Sequence, residues 1–182
     1  RALQDTKDTL VKLSKIGQEI TAKLESSDAF IAIHNHLQSL LDAGSFCTYL
    51  LNQEKDKLVL VYGVRDQIHI SPHQIPLDHP DCLIVRSTKE RKEFNSASVP
   101  HGIDGELKEE LYDRSQLIAP LVAGDRLLGA MVIGSAEENA YSDREQLIFT
   151  TISAYAAIAL DNAGVYQELQ ATQRELLQAI RK

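Results

Sequence analysis

Only two cysteines occur in 182 residues, no C-x-x-C pair is present, and basic residues are outnumbered by acidic ones. Two cysteines without paired spacing make neither a disulfide framework nor a zinc ribbon, so a reducing cytoplasm is the expected setting. A net charge of −7 works against a nucleic-acid backbone or an anionic membrane as partner, and no basic patch offsets it. The longest apolar run is a few residues, far below the ~20 needed to cross a bilayer, and no charged-then-apolar leader opens the chain. No membrane contact by this segment is expected. A Gly-rich phosphate loop, a nucleophile elbow and a His-Glu-x-x-His helix are all missing, which leaves catalysis without support. There is no internal repeat and no low-complexity tract. The start at Arg1 and the end at Arg181-Lys182 suggest a piece of a longer protein.

What the chain does have is a closing helical pattern from Ser142 to Lys182. A helix of about forty residues extends roughly 60 Å at 1.5 Å per residue, beyond the width of one small domain. From 146 to 163 its apolar residues crowd more than one face, as in a helix buried against a sheet and a partner. Beyond Gly164 the pattern thins to a seam. Tyr155, Asn162, Leu169 and Leu176 fall seven apart, with Ile158, Val165, Thr172 and Ala179 interleaved. This spacing predicts a parallel homodimer. A solvated tail is the plainer alternative. Near the start, Leu3, Leu10 and Leu24 with Thr6, Leu13 and Ile20 follow a similar stripe, broken by Gly17.

Between these helices the punctuation is regular. Ser26-Ser27-Asp28 caps a second helix carrying Phe30, Ile31, Ile33, Leu37, Leu40 and Leu41, which Gly44 ends. Strands at 45–51 and 58–62 flank the polar turn 52–56 and form a hairpin. The Pro-punctuated stretch 67–75 reads as an irregular or edge strand. Asp78-His79-Pro80 looks like the start of a short helix running to about Thr88. A short strand at 93–97 and a polar excursion at 98–114 with the character of a lid follow. Strands 115–122 and 126–134 join through Ala123-Gly124-Asp125. They do not alternate cleanly, so both their faces should be covered. Ser142 with Glu145 forms a capping box for the last helix.

The stretch Gln116-Leu-Ile-Ala-Pro-Leu-Val-Ala-Gly-Asp-Arg-Leu-Leu-Gly-Ala-Met-Val-Ile-Gly134 resembles the central hairpin of a GAF domain, with Pro120-Leu121 before the turn and Gly129 after it. Tyr141-Ser142-Asp143-Arg144-Glu145 and the following helix to Asn162 are similar to that family's closing helix, and 47–63 is similar to its first hairpin. The resemblance covers about 28–166 and implies an α+β fold. An antiparallel sheet of roughly five or six strands would carry the first, second and last helices on one face and a lidded pocket on the other. It divides the chain into a linker helix over 1–25, a sensory domain over 26–163 and a signalling helix over 164–182. It also implies a regulatory module that binds a small molecule or only dimerises. The output domain would lie further along the same chain, a diguanylate cyclase or a histidine kinase.

The chain departs from several liganded subfamilies. It lacks the Asn-Lys, Phe and Asp-Glu constellation of cyclic-nucleotide binders, and neither Phe46-Cys47 nor Asp81-Cys82 has the context of a bilin attachment site. No cofactor is expected. The resemblance places reception between one sheet face and the lid, which would draw on Cys47, Tyr49, Tyr62, Cys82, Leu83, Arg86 and His101. Arg86 and His101 could approach a small acidic ligand, although Arg86 beside Glu90 is more simply a solvated surface residue. Cys47 fits a small core hydrophobe, whereas Cys82 near a helix start is the better reactive thiol. A methionine sulfoxide reductase variant of the fold would need a cluster of cysteines that is missing here. His34 and His36 diverge on one helix, and His69, His73, His79 and His101 share no metal-ligand spacing. The run Asp104, Glu106, Glu109 and Glu110 is a solvated loop face.

Overall fold

The computed structural model describes residues 2–21, 26–79, 82–96 and 114–181, with side chains described for all of these except 2–6, 21, 26–28 and 165–167. Eleven elements follow in order. They are α1 (Ala2–Thr21), α2 (Ser26–Leu40), β1 (Ser45–Leu51), β2 (Lys57–Arg65), β3 (Ile68–His69), β4 (Gln74–Pro76), α3 (Leu83–Glu90), β5 (Phe94–Ser96), β6 (Ser115–Ala123), β7 (Arg126–Ser135) and α4 (Asp143–Arg181).

The strands form one antiparallel sheet in the order β3-β2-β1-β7-β6-β5, with β4 pairing the far half of the β2 edge. The stretch 67–75, read from sequence as one strand, is therefore split. β3 pairs Val64 and Arg65 of β2, and β4 pairs Lys57 to Val59. Pro76 ends β4 on an outer edge, where its missing N–H costs no ladder bond. Pro120 is accommodated in the same way, because among the described residues β5 pairs β6 only at Gln116 to Ile118 and no strand pairs the outer edge of β6 at 120. Gly129 meets a tighter constraint. A Cβ at this position of β7 would lie 1.9 Å from the Tyr49 carbonyl oxygen, so only glycine lets β7 approach β1 there.

Each face of the sheet has its own core. On one face α1, α2 and α4 bury Leu13, Ile16, Ile20, Ile33, Leu37, Phe149, Ile152 and Ala156 against Phe46, Leu117, Leu121, Met131 and Ile133. Helix α1 packs chiefly on α4 and α2, and the ring of Tyr155 on α4 occupies the notch left by Gly17. His36 reaches Glu19 at 3.0 Å, a further tie between α2 and α1. On the other face Cys47, Tyr49, Leu58, Leu60, Ile75, Ile118 and Val132 pack with Ile84 and Val85 of α3. Both faces are covered, as the unbroken apolar runs of β6 and β7 require.

The start of α4 follows its sequence signal. The backbone N–H of Ser142 donates to Glu145 Oε2 at 2.9 Å, and the Ser142 hydroxyl also donates to that carboxylate. These bonds hold the Glu145 carboxyl below its ordinary range, the hydroxyl bond contributing most. By length and composition alone α4 could cross a bilayer. Its apolar residues Ile148, Phe149, Ile152, Ala156, Ala157 and Leu160 are instead buried in the domain, which makes it a core helix.

Candidate functional site

The face beneath α3 holds two of the seven residues expected to receive a signal in its core and two more, Cys82 and Leu83, at its margin. Cys47 and Tyr49 alternate along β1 onto this face, and both are buried. The Tyr49 hydroxyl bonds His73 Nε2 at 2.8 Å, while His73 Nδ1 lies 3.1 Å from the Ser71 carbonyl oxygen. A carbonyl can only accept, so Nδ1 carries the proton and Nε2 accepts from the tyrosine. His73 arrives on the segment between β3 and β4, and from sequence alone it is only one of several scattered histidines. A contact spanning twenty-four residues leaves no local spacing to detect.

The remaining expected residues are distributed differently. Cys82 is the N-cap of α3 rather than a residue within it, with extended φ and ψ of −96° and 117° and no side-chain capping bond. Both it and Leu83 are half-buried at the margin of the apolar cluster. The short helix thus begins several residues later than the Asp78-His79-Pro80 signal suggests. Arg86 is exposed and already engaged. Its Nε lies 3.4 Å from Glu90 Oε2, and its guanidinium carbon sits 5.1 Å from the centroid of the Phe94 ring. His101 lies outside the described residues. Cys47 and Cys82 form no disulfide. Among the described residues no three His, Cys, Asp or Glu side chains are grouped to hold a metal.

Tyr62 does not join Cys47 and Tyr49, because it is on the opposite face. It stacks on Phe30 at 5.5 Å, and its ring lies 5.7 Å from Phe46 and 6.3 Å from His34. The cause is a bulge in the β1–β2 ladder, where Thr48 opposes Tyr62 but Tyr49 opposes Leu60. One extra residue, Val61, inverts the alternation, so Leu58 and Leu60 face α3 while Tyr62 faces α2. His34 beside it is buried and stacked on Phe46 at 5.2 Å. Its Nε2 and the Thr48 hydroxyl have no hydrogen-bond partner among the described residues. Burial pushes the His34 imidazole below its ordinary pKa, against a smaller upward pull from the Ala43 backbone. Burial likewise raises the Tyr62 phenol.

The residues expected to dimerise separate into two sets. Leu13 and Ile20 are buried within the chain, and Tyr155 packs on Gly17, so these three serve the contact of α1 with its own α2 and α4. Leu10 is 59 % exposed, Ile158 44 %, Leu169 64 % and Leu176 60 %, and Asn162 is also exposed. The side chains of Leu3 and Val165 lie outside those described. Ala163 is the last buried residue described in α4, and a Cβ added at Gly164 would meet nothing within 4 Å. From 168 onward nearly every described position is exposed. Just before that exit Asp161 Oδ1 accepts from Arg126 Nη1 at 2.7 Å, and Arg91 Nη2 donates to the neighbouring Asp125 carbonyl at 3.3 Å.

A six-stranded antiparallel path, helices layered on one face and a short helix over the other define an α+β domain with a projecting helix. The chain belongs to the GAF domain family, whose pattern matches residues 30–162. It is 23 % identical over 180 residues to the formate hydrogenlyase transcriptional activator FhlA of Escherichia coli, an alignment that takes in 94 % of this chain. The chain spans 26 % of the length of that relative. Among solved structures, the GAF domain of a phosphoenolpyruvate-protein phosphotransferase from Coxiella burnetii superposes with a TM-score of 0.73 at 19 % identity, covering 88 % of this chain and 96 % of the other. The GAF domain of a two-component sensor histidine kinase from Bacillus halodurans gives 0.64 at 16 % identity, covering 80 % and 99 %. At these identities the two likenesses establish the fold.

Proposed function

We propose that this chain is a regulatory module that converts the state of the face beneath α3 into a change in α4, and that it works as a parallel homodimer. The observation that carries the reading is the second part of α4. Residues 164–181 extend about 27 Å past the core at 1.5 Å per residue, a length that the core of one chain does not need. Positions Ile158, Asn162, Val165, Leu169, Thr172, Leu176 and Ala179 alternate in steps of four and three, which is the spacing of a two-helix seam. The structure adds Leu147, Thr151 and Ala154 ahead of Ile158, again three or four apart and all at least partly exposed, so the stripe continues back along the domain. Asn162 at one seam position favours a parallel in-register pair, in which two copies of its amide can meet.

A ligand that prefers one arrangement of the two helices would bias whatever follows them, and differential affinity is all such coupling requires. The packed interior that would have to open for it is mainly apolar, with Tyr49, His73 and Cys82 as its polar groups and Arg86 held by Glu90 and Phe94. That composition suits a small, largely apolar molecule better than a phosphorylated one. The relationship to FhlA supports a transcriptional activator as the output, with a histidine kinase as the other candidate and a diguanylate cyclase behind both. A cytoplasmic location fits this role. A ligand-free dimerisation module is the second reading, favoured by the complete burial of Tyr49, Leu58 and Ile75 on the receiving face. Native mass spectrometry of the purified chain separates the two. A dimer carrying a bound small molecule supports sensing, a dimer without one supports the scaffold, and a monomer rejects both.

A further inference from the structure

Strand β5 is three residues long and, among the described residues, pairs with β6 alone, through Phe94 with Ile118, Asn95 with Leu117 and Ser96 with Gln116. Its alternation divides its contacts between the two faces of the sheet. Phe94 packs at the margin of the apolar cluster that holds Tyr49 and Ile118, under the guanidinium of Arg86. Its neighbours on either side serve the opposite face. Asn95 Nδ2 donates to the Tyr141 carbonyl at 3.0 Å, and the Thr150 hydroxyl donates to Glu93 Oε2 at 2.6 Å. Tyr141 directly precedes the cap of α4, and Thr150 lies in its second turn. At the start of β6 the Ser115 hydroxyl adds a parallel tie, donating to the Glu137 carbonyl at 2.7 Å and accepting from the Ala140 N–H at 3.1 Å.

Thr150 gives this linkage two available arrangements. Its hydroxyl carries one proton, while two acceptors lie within reach, Glu93 Oε2 at 2.6 Å and the Gln146 carbonyl of its own helix at 2.8 Å. Donation to Glu93 binds α4 to the residue just ahead of β5, and donation to Gln146 turns the bond back along α4. A short edge strand held by one neighbour is also the part of a sheet that opens at the least cost.

We propose that β5 is the coupling element of the domain: Phe94 responds to the packing of the face beneath α3, and Glu93 and Asn95 pass its displacement to the first two turns of α4. The proposal rests on the reading of α4 as the output helix. Phe94, Asn95 and Thr150 are positioning residues in this scheme.

The test is a double-mutant cycle read by amide hydrogen exchange on the whole chain, which needs neither a ligand nor a second copy. Phe94→Ala should speed exchange over 143–152 by about fivefold relative to 45–50 in β1, a size typical of coupling between sites. In an Asn95→Ala/Thr150→Val background the same substitution should add less than about twofold. Phe94→Leu, which keeps most of the apolar volume, should give a smaller effect of the same pattern and serves if the alanine variant fails to fold. Equal acceleration in both backgrounds, no acceleration, or equal acceleration over 143–152 and 45–50 would each overturn the proposal. Because the measurement lies within one chain, its failure would leave the dimer reading standing, and loss of the dimer would leave the cycle intact.

Discussion

One helix serves two environments. Over 143–163 α4 is fixed by burial, with Ile148, Phe149, Ile152, Ala156, Ala157 and Ala163 closed off between the sheet, α1 and α2. Over 164–181 the same helix carries Leu169, Leu176, Leu177 and Ile180 into solvent. A helical segment of this length has little stability of its own, so the second part depends on the first as its nucleus. The difference separates what folding requires from what it leaves over. Residues in the first part answer to the core, whereas those in the second are left to solvent by this chain.

Substitutions should separate these regions sharply. Phe149→Ala empties a fully buried site against the sheet and should cost about 3–5 kcal/mol in denaturant unfolding. A loss under about 1 kcal/mol would mean that the first part is not held by packing. Gly17→Ala places a Cβ 2.5 Å from the Tyr155 ring and should cost about 1–3 kcal/mol, with exchange rising in α1 before the sheet. If α1 stays as protected as in the parent chain, the contact of α1 with α4 is not as close as described.

The pH dependence follows from His34. Its folded pKa lies below the ordinary 6.5, so the native state binds its proton less readily than the unfolded chain does. Stability contributed by the neutral ring is complete above 6.5 and is lost as pH falls below that value toward the folded pKa. Replacing His34 by Gln should flatten the decline that sets in below about pH 6.5. An unchanged slope would assign the acid sensitivity to other groups. The smallest effect is expected for Arg126→Ala, which breaks a largely exposed ion pair with Asp161 at the exit of α4 and should cost about 0.2–1 kcal/mol.

Much of this architecture can be read directly from the chain, because hairpins and capped helices are encoded locally. The turn Ala123-Gly124-Asp125 and the pairing of Ser142 with Glu145 both form where spacing places them. Non-local geometry is less legible. The bulge at Val61 has no sequence mark, yet it moves Tyr62 from the face beneath α3 to the helical one. The heptad stripe in α1 is real as a pattern, but Leu13 and Ile20 satisfy it inside the chain, so periodicity identifies an apolar face without identifying its partner. Cys82 takes the place of Asp78 at the start of α3, since a proline in the first turn permits a helix without requiring one. His73 enters the candidate site through non-local contacts, its ring with Tyr49 and its carbonyl with the Leu60 N–H.

The claim that α4 leaves the core to pair with a second copy is tested most directly by disulfide cross-linking in a Cys82→Ser background. Leu176→Cys lies on the seam and Arg174→Cys on the outward side of the same turn. Under mild oxidation Leu176→Cys should yield a covalent dimer at protein concentrations where Arg174→Cys stays monomeric. Equal cross-linking at both positions, or none at Leu176→Cys, would contradict a parallel seam along this helix.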